Sequence, residues 1–166
     1  PISDDQRASS GELIWWQGKP FMLIDAGGGT YLRFGQSGAK LEDVTLIGIT
    51  HFHTDHVADL PAILKGGYFF SHQKDILLFG PERGGAFPSM TEFFEDLFSQ
   101  KGAFAYLSGL HDADDGIKIS MKVKNINYKS QTPIIIYQKD GVTVTALGIP
   151  HGDVPCLAYK IQTPKG

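Results

Sequence analysis

Apolar positions along this chain change their period several times, and each change marks an element. Residues 12–16 (ELIWW) and 20–26 (PFMLIDA) read as two strands joined by a QGK turn, which is a hairpin signal. GGGT at 27–30 ends the second strand and releases the chain into a short helix over TYLRFGQSG. The run DVTLIGIT, 43–50, is apolar without alternation and predicts a strand buried on both faces. In HVADLPAILKGG, 56–67, Val57, Leu60, Ile63 and Leu64 recur at helical spacing before a glycine stop. DILLFGP is another buried strand, and PSMTEFFEDLFSQKG, 88–102, is the clearest helix, with Phe93, Phe94, Leu97 and Phe98 on one side.

The last third changes character. From Ile117 to Lys124 apolar residues alternate with Lys118, Ser120, Lys122 and Lys124, the mark of a half-exposed strand. TPIIIYQ, GVTVTALGI and CLAYKIQ add three more strands, the first two separated by a KDG turn. Mixed strands and helices with a β-rich second half predict an α/β fold whose sheet is covered by helices on one side.

Composition narrows the class without changing that picture. The 166 residues are 42% apolar and 20% charged, which suits one globular domain spanning 1–166. A net charge of −3 does not indicate nucleic acid as a partner, although a local basic patch would suffice for one. The single cysteine, Cys156, forbids an internal disulfide framework. No apolar run reaches the roughly 18 residues of a spanning helix, so no membrane partner is expected. A soluble chain follows, with the cytoplasm placed ahead of the periplasm.

The chemistry concentrates in THFHTDH, 50–56. His51 and His53 stand two apart at a strand end, so an extended backbone sends both imidazoles to the same side. Asp55 and His56 bring a carboxylate and a third imidazole beside them. Imidazole with carboxylate suits zinc, and four such groups within six residues exceed what one tetrahedral ion takes from so short a segment. Two adjacent metals are the natural reading, and a two-metal site can activate water and stabilise a displaced oxygen. Elsewhere, His111 with DADDG lacks the acidic spacing of a calcium loop and reads as a solvated turn. GGG at 27–29 lacks dinucleotide spacing, and His72 and the lysine face at 118–124 read as surface. Cys156 has no local base and reads as a packed residue.

THFHTDH resembles the HxHxDH signature of the metallo-β-lactamase superfamily. FMLIDAGGGT, LLFGPE and VTVTALGIPHGDVPCLAYKI resemble the segments around that signature in the branch holding ribonuclease Z, arylsulfatase-like hydrolases and cyclic-nucleotide phosphodiesterases. The resemblance implies a four-layer αββα fold, of which this chain holds the N-terminal and central part. It implies that His51, His53 and His151 hold one zinc ion, that Asp55 and His56 supply part of a second site, and that Asp55 moves a proton to the leaving group. Asp25 would lie behind the ligands, orienting one of them or the glycine turn. The implied reaction is hydrolysis of a phosphodiester or related ester, small or nucleotide-like, by hydroxide bridging two metals.

In the resembling proteins a bridging aspartate and a last histidine follow, whereas this sequence stops at IQTPKG with no histidine after His151. The expectation is therefore a domain clipped at both ends, with partial or no zinc occupancy and little activity as a piece. Its uncovered strand edges would favour a homodimer. Two other readings stand beside this one. A β-lactamase or thioesterase of the same fold is disfavoured because the segment around His151 lacks an HTPG pattern. A degenerate metal-binding protein without catalysis is the alternative from a different class.

Overall fold

The computed structural model describes residues 6–164. Two hairpins form where the sequence places them. Strands β1 (Glu12–Trp16) and β2 (Lys19–Ile24) turn through Gln17 and Gly18, whose φ values of 51° and 77° match the twist that favours two-residue hairpins. Strands β6 (Ile134–Lys139) and β7 (Val142–Gly148) turn in the same way through Asp140 and Gly141, at 52° and 79°. With β3 (Leu46–Gly48), β4 (Lys74–Pro81), β5 (Ile119–Ile126) and β8 (Leu157–Gln162), the chain builds two sheets. One has five strands in the order β1-β2-β3-β4-β5, parallel from β2 onward; the other is β6-β7-β8, antiparallel throughout.

The parallel strands need crossovers, and all of these pass over one face. They contain α1 (Thr30–Gln36), α2 (Thr54–Val57), α3 (Leu60–Leu64) and α4 (Met90–Phe98). Alternate strand residues divide two cores between them. Leu23, Ile47, Ile76 and Leu78 pack toward Phe34, Leu60, Ile63, Leu64, Phe94 and Phe98 under the helices. Met22, Leu46 and Phe79 face the other way, onto Val142, Val144, Ala146 and Leu157 of the second sheet. Burial of β2, β3 and β4 on both faces explains their unalternating sequences. The described residues thus make three layers, helices over sheet over sheet; an outer helical layer on the second sheet is not among them.

Three local expectations are corrected. The apolar run 43–50 is a ladder only at Leu46–Gly48, because Leu41–Asp43 forms a 3-10 turn. Its far end stays extended and bonds Ile49 N–H to the Phe79 carbonyl. The helix expected from His56 starts at Thr54 and is two short pieces, with Pro61 opening the second. Ser120, expected on the polar face of β5, is buried, and its hydroxyl donates to the His111 carbonyl at 2.8 Å. Helix α4 is as expected and starts with a capping box, Ser89 against Glu92. Phe98 on that helix is fully buried, so Phe98→Ala should cost about 3–5 kcal/mol, read from urea unfolding.

Candidate metal centre

The site forms at the carboxyl ends of the parallel strands, where an open α/β sheet presents its loops. Three segments are stitched there by backbone bonds: Ser10 N–H to the Asp55 carbonyl, Gly27 N–H to the Ser10 carbonyl, and Ala26 N–H to the His56 carbonyl. Gly27 is required by this close approach, because a Cβ at that position would collide with the Asp55 carbonyl oxygen. The loop that carries His151 is tied to the same place from the second sheet. Leu157 N–H donates to the Thr50 carbonyl at 3.0 Å, and the Tyr159 hydroxyl to the Ile49 carbonyl at 2.9 Å.

This stitching brings His51, His53 and His151 together across about a hundred residues of sequence. One ligand atom from each lies within 4.8 Å of the others, and among the described residues no further group of three or more potential ligands meets that standard. His51 Nε2 stands 3.1 Å from His53 Nδ1. Donors on a tetrahedral zinc with bonds of about 2.0–2.1 Å stand roughly 3.3–3.4 Å apart, so the His51–His53 pair is at the spacing the ion needs and His151 is within a small side-chain adjustment of it. His51 is 5% exposed, while His53 and His151 open to solvent. Asp55 and His56 sit beside this trio as a pair, Asp55 Oδ2 3.8 Å from His56 Nε2, and the His56 ring centroid is 3.9 Å from that of His51.

Behind the histidines lies Asp25, 2% exposed and held at a φ of 62°, a backbone conformation that Asp tolerates better than most residues. Its carboxylate accepts from Thr50 N–H at 2.7 Å, from the Thr50 hydroxyl at 2.8 Å, and lies 2.7 Å from His56 Nδ1. A carboxylate only accepts, so the Thr50 hydroxyl hydrogen goes to Asp25 and leaves its oxygen lone pairs for His51 Nδ1, 2.9 Å away. One buried acid thereby directs the Nδ1 proton of His56 itself and that of His51 through Thr50. Both Nε2 atoms are left as lone-pair donors facing the site. Thr50 was not picked out in the sequence; its only signal is a hydroxyl residue directly before the first histidine. Ser10, whose hydroxyl is 3.3 Å from His56 Nε2, carried no signal at all.

Burial, then repulsion from His56, His53 and His151, lowers the His51 pKa to about 4, so this imidazole is neutral and ready to ligate at neutral pH. Asp25 is pushed upward by burial, against the hydrogen bonds from Thr50 and His56. Burial also raises Glu12, which lines the same cavity, and keeps the Cys156 thiol protonated. Cys156 is buried with Sγ 3.9 Å from His51 Nδ1, as a packing residue would be. The sign for stability follows from His51: between its ordinary 6.5 and about 4 the unfolded chain binds a proton that the fold refuses. Through His51 metal-free protein should lose about 1 kcal/mol as pH falls from 7 to 5, partly offset by the raised Asp25 and Glu12 carboxyls, and the drop in urea midpoint should disappear in His51→Ala.

One sheet faced with helices, a second sheet packed behind it, and three histidines converging at the strand ends make an arrangement similar to the metallo-β-lactamase fold. The sequence agrees, since residues 9–68 match the family described as the metallo-beta-lactamase superfamily. Over 163 residues the chain is 27% identical to ribonuclease Z of Clostridium kluyveri, covering 98% of this chain and 45% of that protein. Human tRNase Z, short form, superposes with a TM-score of 0.70 at 17% identity, over 95% of this chain and 59% of that one. A diphosphatase of the PhnP family superposes at 0.62, also at 17% identity, over 96% and 52%. At such identities the superpositions show the fold alone. The chain spans about half the length of these relatives. Among the described residues no helix is long and apolar enough to cross a membrane.

Proposed function

We propose that this chain carries the first metal site and part of the second of a zinc-dependent phosphodiester hydrolase. The observation behind this reading is the convergence of His51 and His53 from one loop with His151 from another, with Asp55 and His56 adjacent. A bound zinc ion supplies Lewis acidity and an activated water at neutral pH. The residues of the chain do the rest. Asp25 and Thr50 hold the imidazoles with Nε2 forward, and His53 and His151 close the trio from the solvent side. Asp55, with its carboxylate at the cavity, passes a proton to the leaving oxygen.

The kinship with ribonuclease Z favours a phosphodiester over a lactam or thioester as substrate, and a nucleic acid among phosphodiesters. A homodimer and further ligands from a longer chain belong to the same proposal. The zinc-loaded protein at its natural full length should release p-nitrophenolate from bis(p-nitrophenyl) phosphate, and His53→Ala should abolish it. Full zinc binding without any hydrolysis by the unaltered protein would instead support a metal-binding role and sink the enzyme reading.

A further inference from the structure

The hydrolase reading leaves unexplained a half-buried aromatic ring set directly against one of the candidate ligands. Phe87 packs edge-on to His53, with ring centroids 5.7 Å apart at 64°, and His53 in turn lies 5.5 Å from His151. The tight turn that carries Phe87 is closed by paired backbone bonds, Gly84 N–H to the Phe87 carbonyl and Phe87 N–H to that of Gly84, with Gly85 at a φ of 56°. Gly84 lies so close beneath the Tyr128 hydroxyl and the Pro155 ring that a Cβ there would clash, which seats the turn on the loop following His151. At its stem, Arg83 makes a forked bond to Glu92 at 2.8–3.0 Å, and Glu92 also closes the cap of α4. A ring with two rotatable bonds on an anchored turn loses little entropy when it meets a ligand. The cavity of about 470 Å³ reaches this turn through His53, which lines it and touches Phe87; the other lining residues are polar except Ile149, which is 39% exposed, and Cys156 and Leu157 on its buried side.

We infer that Phe87 is a specificity-determining contact, receiving a planar aromatic group attached near the scissile ester. The inference rests on the hydrolase reading for the position of that ester. Simple support of the His53 ring would account for the packing, but that role needs neither a partly exposed ring nor an anchored turn.

The test is calorimetric titration of the zinc-loaded full-length protein with methylphosphonate, phenylphosphonate and thymidine 5′-monophosphate. Phenylphosphonate holds its ring directly on phosphorus, and the nucleotide holds it one sugar away. At least one of the two should bind about fivefold or more tighter than methylphosphonate, the lower end of what one aromatic stack contributes. Phe87→Ala and Phe87→Leu should remove that preference, Phe87→Trp should keep it, and zinc affinity should stay within about twofold in all three. The ring-bearing ligand that responds assigns the source, aryl ester or nucleotide. An aromatic preference that survives in Phe87→Leu, or none in the unaltered protein, overturns the inference while zinc binding and hydrolysis leave the hydrolase reading standing. Failure to bind zinc at all overturns both.

Discussion

Asp25→Ala should destabilise the metal-free protein by about 3–5 kcal/mol, the range found when one member of a buried polar cluster is removed. The carboxylate receives two bonds from Thr50 and one from His56, and its loss leaves those donors without their acceptor. The desolvation that raises the Asp25 pKa offsets part of this, which keeps the effect from being larger. The same change frees both imidazoles to rotate or exchange tautomers, so zinc should bind about 10–100-fold more weakly. Asp25→Asn separates the two effects. It preserves shape and one acceptor, and it should recover much of the stability in a urea titration while a zinc competition assay still reports weakened binding. Unchanged zinc affinity in both variants would show that Asp25 supports the fold without orienting the ligands.

The reverse pattern is expected at His151. This residue is exposed, its backbone stays tied through the neighbouring Val154 N–H, and removing its ring opens no core cavity. His151→Ala should therefore shift stability by less than about 0.5 kcal/mol, as surface substitutions do. Zinc affinity should fall by more than about 100-fold, because removing a donor outright costs more than loosening the group behind it. Competition against a chromogenic chelator reads the affinity, and urea unfolding of the same sample reads the fold. Stability lost in parallel with affinity would mean that His151 packs rather than ligates.

Much of the architecture was readable before any coordinates. QG and DG between apolar runs identified both hairpins, since those residues supply the positive φ such turns need. Phe93, Phe94, Leu97 and Phe98 at helical spacing marked α4, whose capping box, Ser89 against Glu92, the structure adds. Element ends were less legible. Asp43, Val44 and Thr45 look like strand, yet tertiary packing places Leu41–Asp43 in a 3-10 turn and the buried Val44 just after it. Ser120 obeys the polar alternation of its neighbours but is covered because the His111 loop lies over it.

At the site, local order identified the ligand types and distance decided their arrangement. THFHTDH by itself determined that imidazoles and a carboxylate crowd the end of one buried strand, because six residues cannot carry them far apart. It could not determine that His56 turns its Nδ1 toward Asp25, or that Thr50 relays the same carboxylate to His51. Those bonds join residues 25 to 31 positions apart, brought together when β2 and β3 pair in parallel. Nor could it place His151 or seat the Phe87 turn, since both depend on a second sheet packing against the first. Short-range chemistry is written in neighbouring letters, whereas orientation belongs to contacts that exist only after both sheets have closed.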